Sequence, residues 1–252
     1  MTKLRNRSFP STPTSCDQMI IEDLFEKLSY GPYAALYPGA AGSGFIEETA
    51  HGQVLSHTND ALLILFTKFD LIRKEVMIEM DEITTFYHLD RKFSPHQADS
   101  KEKRRYILDL PDERFEGDVV KILEVYNTYG YLHPLNDDGN PHSLFTPQKN
   151  VLQVPHPIPG QALNITYQAR HPKLLNNGDL SQEIMLPDIL VEPLVAYIAY
   201  KKYTNMATAE ATAKAQEHLA MFDRLCNEAE QHDAVQTSTA PTNTRFEKRG
   251  FI

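Results

Sequence analysis

The chain is short of the features that announce the commonest protein classes. Two cysteines, Cys16 and Cys226, are too few for a disulfide framework, and nothing in their setting argues that they pair. The longest apolar run, Ala61 to Phe66, falls far short of a bilayer span. Met1 to Ser15 carries basic residues but no apolar h-region, so it does not read as a secretory signal. A reducing cytoplasm suits this composition. Beyond Lys101 to Arg105 there is no basic block, and the formal net charge is −9. Sequence-specific DNA binding through phosphate contacts wants the opposite sign. No internal repeat and no useful heptad run is present.

What is there, over 252 residues with 41% hydrophobic content, is enough apolar material for a sizeable core. Met1 to Ser15 reads as a flexible arm, with Ser15 and Gln18 as a possible capping box for the helix that follows. Ile20, Ile21, Leu24, Phe25 and Leu28 then give a short amphipathic helix that Gly31 and Pro32 stop. Glu47 and Glu48 suit the start of a helix running to about Phe69, with Val54, Leu55, Thr58, Ala61, Leu62, Leu65, Phe66 and Phe69 on its buried face.

The middle of the chain changes character. Val76, Ile78 and Met80 alternate with Met77 and Glu79, and after Asp81 and Glu82 the run Ile83 to Leu89 follows, which predicts a hairpin. Arg91 to Arg105 is polar, an exposed loop or short surface helix. Val119 to Tyr126, Tyr129 to Leu132, Asn150 to Val154 and Ala162 to Tyr167 read as strands, with Asn136 to Pro141 as a turn. Short strands without intervening helices predict an antiparallel sheet or sandwich inserted between helical segments, an α+β fold.

Leu186 to Val235 has the pattern of two consecutive helices, each about 30 Å long. Ile189, Leu190, Leu194, Ile198 and Ala199 recur at the helical period in the first, broadened by Val191, Val195 and Tyr197, with Pro187 at its start. Ala211, Ala215, Leu219, Phe222, Cys226 and Ala229 form one face of the second, which Thr208 is placed to cap. The expected organisation is an arm over 1–15, a helical bundle from 16–72 plus 186–235, a β-rich region over 73–185 and an extended tail over 236–252.

Few residues of the chain carry a pattern that points to chemistry. His133, His142, His156 and His171 fall in the loop-and-strand region without metal-ligand spacing and without a cysteine beside them. Asp137 to Asn140 lacks the spaced ligands and closing Glu of a calcium loop. Gly39 to Gly44 lacks the Lys-Ser/Thr of a phosphate cradle. No serine sits in a nucleophile elbow, and Cys226 lies on an apolar helix face as a core residue. No cofactor, metal or catalytic set is expected.

Several stretches together resemble the head-to-tail adaptor (connector) proteins of short-tailed bacteriophages, the tail tubular protein A type. They are Asn59 to Phe69, Pro134 to Asp137, Leu144 to Pro147, Asn150 to Pro155 and Tyr167 to Pro172. Leu186 to Met206 and the ending Asn243 to Phe246 with Gly250 and Phe251 carry it most strongly, although Phe251 stands where a tryptophan is expected. The resemblance implies a ring of identical subunits, twelve copies in the family, between the portal protein and the tail nozzle protein. DNA would pass through its channel without sequence-specific binding, and the protein would be a virion component at the head-tail junction, present in host cytoplasm during assembly. It implies no active site and no membrane. Arg245, Phe246, Arg249 and Phe251, aromatics and cations in a polar tail, are the expected partner-docking residues. The competing readings are a metal-dependent or ligand-binding β-sandwich enzyme using the loops from His133 to His171, and a monomeric assembly factor.

Overall fold

The computed structural model describes residues 19–34, 36, 46–95, 104–109 and 114–232. In chain order the elements are β1 (Met19–Ile20), α1 (Ile21–Tyr30), α2 (Glu48–Lys68), β2 (Arg73–Glu79), β3 (Phe86–His88), β4 (Ile107–Leu108), β5 (Val119–Asn127), β6 (Phe145–Gln148), β7 (Val151–Gln153), β8 (Ala162–Ala169), β9 (Glu183–Ile184), α3 (Val191–Thr204) and α4 (Ala209–Gln231). Helices at both ends and antiparallel strands between them make an α+β fold. The chain divides into two compact units, Met1–Leu55 with Leu174–Cys226, and Ser56–Lys173 with Asn227–Ile252.

In the first unit the chain opens with a pairing that has no local sequence signal. Met19 lies opposite Ile184 and Ile20 opposite Glu183, and the backbone ladder continues from Ile21 and Glu22 to the carbonyls of Gln182 and Leu180. The Asp23 carboxylate accepts the Ile20 N–H at 3.0 Å, which satisfies one open donor at the start of α1. Ile21, Leu24, Phe25 and Leu28 turn inward. Gly31 ends the helix by donating to Lys27 O, and a Cβ there would meet that oxygen at 2.8 Å. Glycine is required by the closeness of that approach.

The expected stripe on α3 is wider than a stripe. Val191, Pro193 to Ala199 and Tyr203 are all buried, so the helix is covered nearly all round. Ile189 is the exception to the predicted face: it sits in a 3-10 turn ahead of the helix (Asp188–Leu190) and is exposed. Pro187 precedes that turn, and Pro193 occupies the first turn of α3, where a missing N–H removes no helix bond. Tyr33 is fully buried and donates to Ile198 O at 3.4 Å, while Tyr203 donates to Pro32 O at 3.2 Å. These contacts tie α1 and its exit to α3. Tyr197 meets the Phe222 ring at 5.1 Å and Tyr203 stacks on His218 at 5.4 Å. Rising numbers on α3 meet falling numbers on α4, so the two helices are antiparallel. Thr208 Oγ1 accepts the Ala211 N–H at 3.2 Å, the predicted cap. Ala211, Ala215, Phe222, Cys226 and Ala229 are buried as their spacing implied.

The second unit holds two antiparallel sheets, ordered β4-β2-β8-β5 and β3-β7-β6. One continuous core joins them, with Val76, Ile78, Tyr87, Leu89, Ile122, Val125, Leu152, Ile165 and Tyr167 among its members. Two expectations are corrected. β2 and β3 are not a hairpin, because β2 pairs with β4 and β8 while β3 pairs with β7. The Asp81 carboxylate accepts the N–H groups of Ile83 and Thr84 and the Thr84 hydroxyl, and this local turn sends the chain from one sheet to the other. Tyr129 to Leu132 is not a strand but the tip of a turn, joined back by a single bridge between Tyr126 and Leu132. The last part of α2 is held to β8 by the buried amide of Gln168, which donates to Phe66 O at 2.6 Å and Phe69 O at 2.8 Å. Those carbonyls belong to the end of the helix, where no further turn supplies donors. Val54 through Phe69 bury the predicted face, and all eight of its residues are inside.

Candidate functional site

Two surfaces stand out as built for contact. The first is the tip after β5. Asn127 Oδ1 accepts the N–H of Tyr129 and of Tyr131, each at 2.9 Å, while the Asn127 N–H reaches Tyr131 O at 3.0 Å. Gly130 takes φ +80°, and nothing lies within 4 Å of where its Cβ would be, so backbone conformation alone selects glycine there. The turn is thus fixed from inside, and it holds Tyr129, Tyr131 and Leu132 out at 79%, 73% and 58% exposure. Aromatic side chains offered on an ordered backbone give contact area at low entropic cost.

The second is a groove of about 760 Å³ beside α1. Among the described residues, Met19, Pro32, Val191 and Val195 are part of its apolar lining, Asp23, Glu26, Asp188 and Glu192 are its carboxylates, and Lys27 is its one cation. The β1–β9 pair fixes Met19, and the hydrogen bonds from Tyr203 to Pro32 O and from Tyr33 to Ile198 O fix Pro32. A smaller cavity of about 390 Å³ adjoins α1, lined by Phe25, Ser29, Ile46, His51 and Leu180, and shares Glu26 and Tyr30 with the groove.

The histidines divide. His133, His142 and His156 line one cavity of about 120 Å³ with Leu144, Val154 and Ile158, so the fold does bring three of the four together. Among the described residues, however, no three His, Cys, Asp or Glu converge in a way that could hold a metal ion. His171 is elsewhere, buried edge-on against Phe66 at 5.3 Å, and its burial holds its pKa below the ordinary histidine value. Asp137 to Asn140 is a turn, with Asp137 Oδ1 accepting the Gly139 N–H at 3.0 Å. Tyr30, at the end of α1, is exposed, while Tyr33 is core. Cys226 is fully buried.

Arg245, Phe246, Arg249 and Phe251 lie outside the described residues, as do the arm over 1–15, the Ser15–Gln18 capping pair and the glycine-rich loop from Gly39 to Gly44. Sequence reasoning missed both surfaces above. The groove is assembled from residues 19–32 and 188–195, which nothing local connects. The tip was readable in part, since Asn127 and Gly130 are turn residues, but the aromatics between and after them have strand propensity.

Among the described residues no helix is long and apolar enough to cross a membrane. The model of the SU10 adaptor protein family matches residues 51–245, most of the chain, and the chain belongs to that family. This agrees with the bacteriophage head-to-tail adaptor resemblance carried by Asn59 to Phe69 and Leu186 to Met206, and it makes the protein a phage adaptor and a virion component. No curated protein matches the chain at a significant level.

Proposed function

We propose that the protein assembles as a ring of identical copies, twelve on the pattern of the resemblance, that joins the portal of the phage head to the tail nozzle and continues the DNA channel. The observation that carries this is the family match over residues 51–245, which takes in most of α2, the strands from β2 to β9, and α3 and α4. A ring needs a heterologous interface whose rotation closes, and the aromatic tip at Tyr129 and Tyr131 offers one side of such a contact. The role calls for no reaction, so the protein acts without an active site of its own. The helical segments over 16–72 and 186–235 serve as the portal-facing part, and the β-rich segment over 73–185 as the nozzle-facing part. In the tail, Arg245, Phe246, Arg249 and Phe251 dock on the portal or on a neighbouring copy.

Formal net charge of −9 suits a channel that DNA slides through without sticking. On this reading Asp and Glu outnumber Lys and Arg on the lumen side, and a basic lumen in the assembled ring would refute that part. Electron microscopy of the protein mixed with its portal tests the whole. A ring stacked beneath the portal is expected; separate particles with free portals would overturn it.

A further inference from the structure

Among the described residues, the groove beside α1 is lined by four carboxylates and one cation. Glu26, Asp188 and Glu192 are exposed, Lys27 supplies the one ammonium among the described lining residues, and Asp23 already accepts the Ile20 N–H through one oxygen. Its floor is apolar, with Met19, Val191 and Val195 all buried. Carboxylates ringed around an apolar floor suit an occupant that is both cationic and greasy.

The chain carries such a segment in the right place. Met19 lines the groove and is the first described residue of β1, so the preceding residues join the fold at the groove wall itself. Residues 1–18 carry three cations, Lys3, Arg5 and Arg7, against one carboxylate, Asp17, and three large apolar side chains, Met1, Leu4 and Phe9. We propose that the groove is a docking site for the N-terminal arm of the same chain. Leu4 and Phe9 cover the floor, and the three cations lie among Glu26, Asp188 and Glu192.

Reach and affinity both permit this. The residues between Phe9 and Met19, fully extended, span on the order of 30 Å, which gives the arm room to turn back along the groove. A tether this short holds the arm at an effective concentration on the order of millimolar, so contacts too weak to bind a free peptide suffice. The C-terminal tail is the competing occupant. It has Arg245, Lys248 and Arg249, but Glu247 sits among them, whereas Asp17 lies ten residues beyond Arg7. The inference does not depend on the ring, the portal or the nozzle.

The test uses the full chain with Phe9 replaced by photoreactive p-benzoylphenylalanine. After irradiation, cross-linked peptides are mapped by mass spectrometry and the product is sized on a denaturing gel. Cross-links are expected within one chain, to residues 19–32 or 188–195, at the mass of the monomer. In the D188K/E192K variant the yield falls roughly tenfold, since two exposed attractions become repulsions, while far-UV circular dichroism is unchanged. Cross-links to another site, cross-links between two chains, or a yield indifferent to the charge reversal would each overturn the proposal. So would the same probe at Phe251 landing in the groove instead.

Discussion

Gln168 and Phe69 are ninety-nine residues apart, and the side-chain amide of the first donates to the carbonyl of the second at 2.8 Å in a buried setting. The same nitrogen reaches Phe66 O at 2.6 Å, so one side chain satisfies two carbonyls at the end of α2. Replacing Gln168 by Leu keeps the bulk and leaves both oxygens buried without that donor. The expected cost is about 1–3 kcal/mol, read as a lower thermal midpoint. A midpoint within experimental error of the parent would show that the carbonyls find other donors.

Phe222 is the largest side chain on the buried face of α4 and packs on Tyr197 at 5.1 Å. Phe222→Ala is expected to destabilise by about 3–5 kcal/mol, since the ring leaves a cavity that two helices cannot close. Leu63, exposed on α2, is the control: Leu63→Ala is expected within about 0.5 kcal/mol of the parent. Denaturant unfolding of the two variants side by side measures the contrast.

Tyr129 and Tyr131 contribute exposed ring surface and little packing. The double substitution Tyr129→Ala/Tyr131→Ala is therefore expected to leave the thermal midpoint nearly unchanged. If the tip is an assembly contact, it weakens ring or portal association by roughly tenfold or more, the effect of losing aromatic anchors. Asn127→Ala is expected to act in the same direction by loosening the turn that fixes both rings. Co-sedimentation with portal-containing capsids reads this, and undiminished attachment of the double variant would clear the tip of that role.

His171 has its pKa lowered by burial, and His218 likewise, with Lys214 adding to the effect there and Glu217 opposing it. The unfolded chain then binds protons more readily than the folded one near and below the ordinary histidine value of 6.5. Stability is in full above that value and is lost as pH falls through it toward the folded-state value. His171→Phe, which keeps a ring against Phe66, is expected to flatten the loss between neutral and mildly acidic pH. Thermal midpoints at several pH values check it, and an unchanged slope would place the titration elsewhere.

Legibility followed burial pattern closely. α2 was readable because only one of its faces is covered, so Val54 through Phe69 mark that face at the helical period. α3 was readable as a helix but not as a stripe, because it is covered on nearly every side and periodicity fades. Ile189 was misplaced for that reason. β2 and β3 looked like a hairpin because neighbouring strands usually pair, and the Asp81 turn that separates them resembles an ordinary hairpin turn in sequence. β1 and β9 are two residues each and far apart in the chain, so no local pattern marks them. The groove shares that origin, since Met19 and Val191 become neighbours only after folding. The cap at Thr208, by contrast, needed only its own four residues.

Cys226 is sealed in the face of α4 with no exposed surface. Its thiol is therefore silent toward a soluble alkylating reagent while the helix is seated. In a Cys16→Ser background it would be the only thiol in the chain. Each labelled molecule would then record one departure of α4 from its bed, and the rate of labelling would time that departure. Packing chosen to fill a core has left the protein with a clock of its own opening.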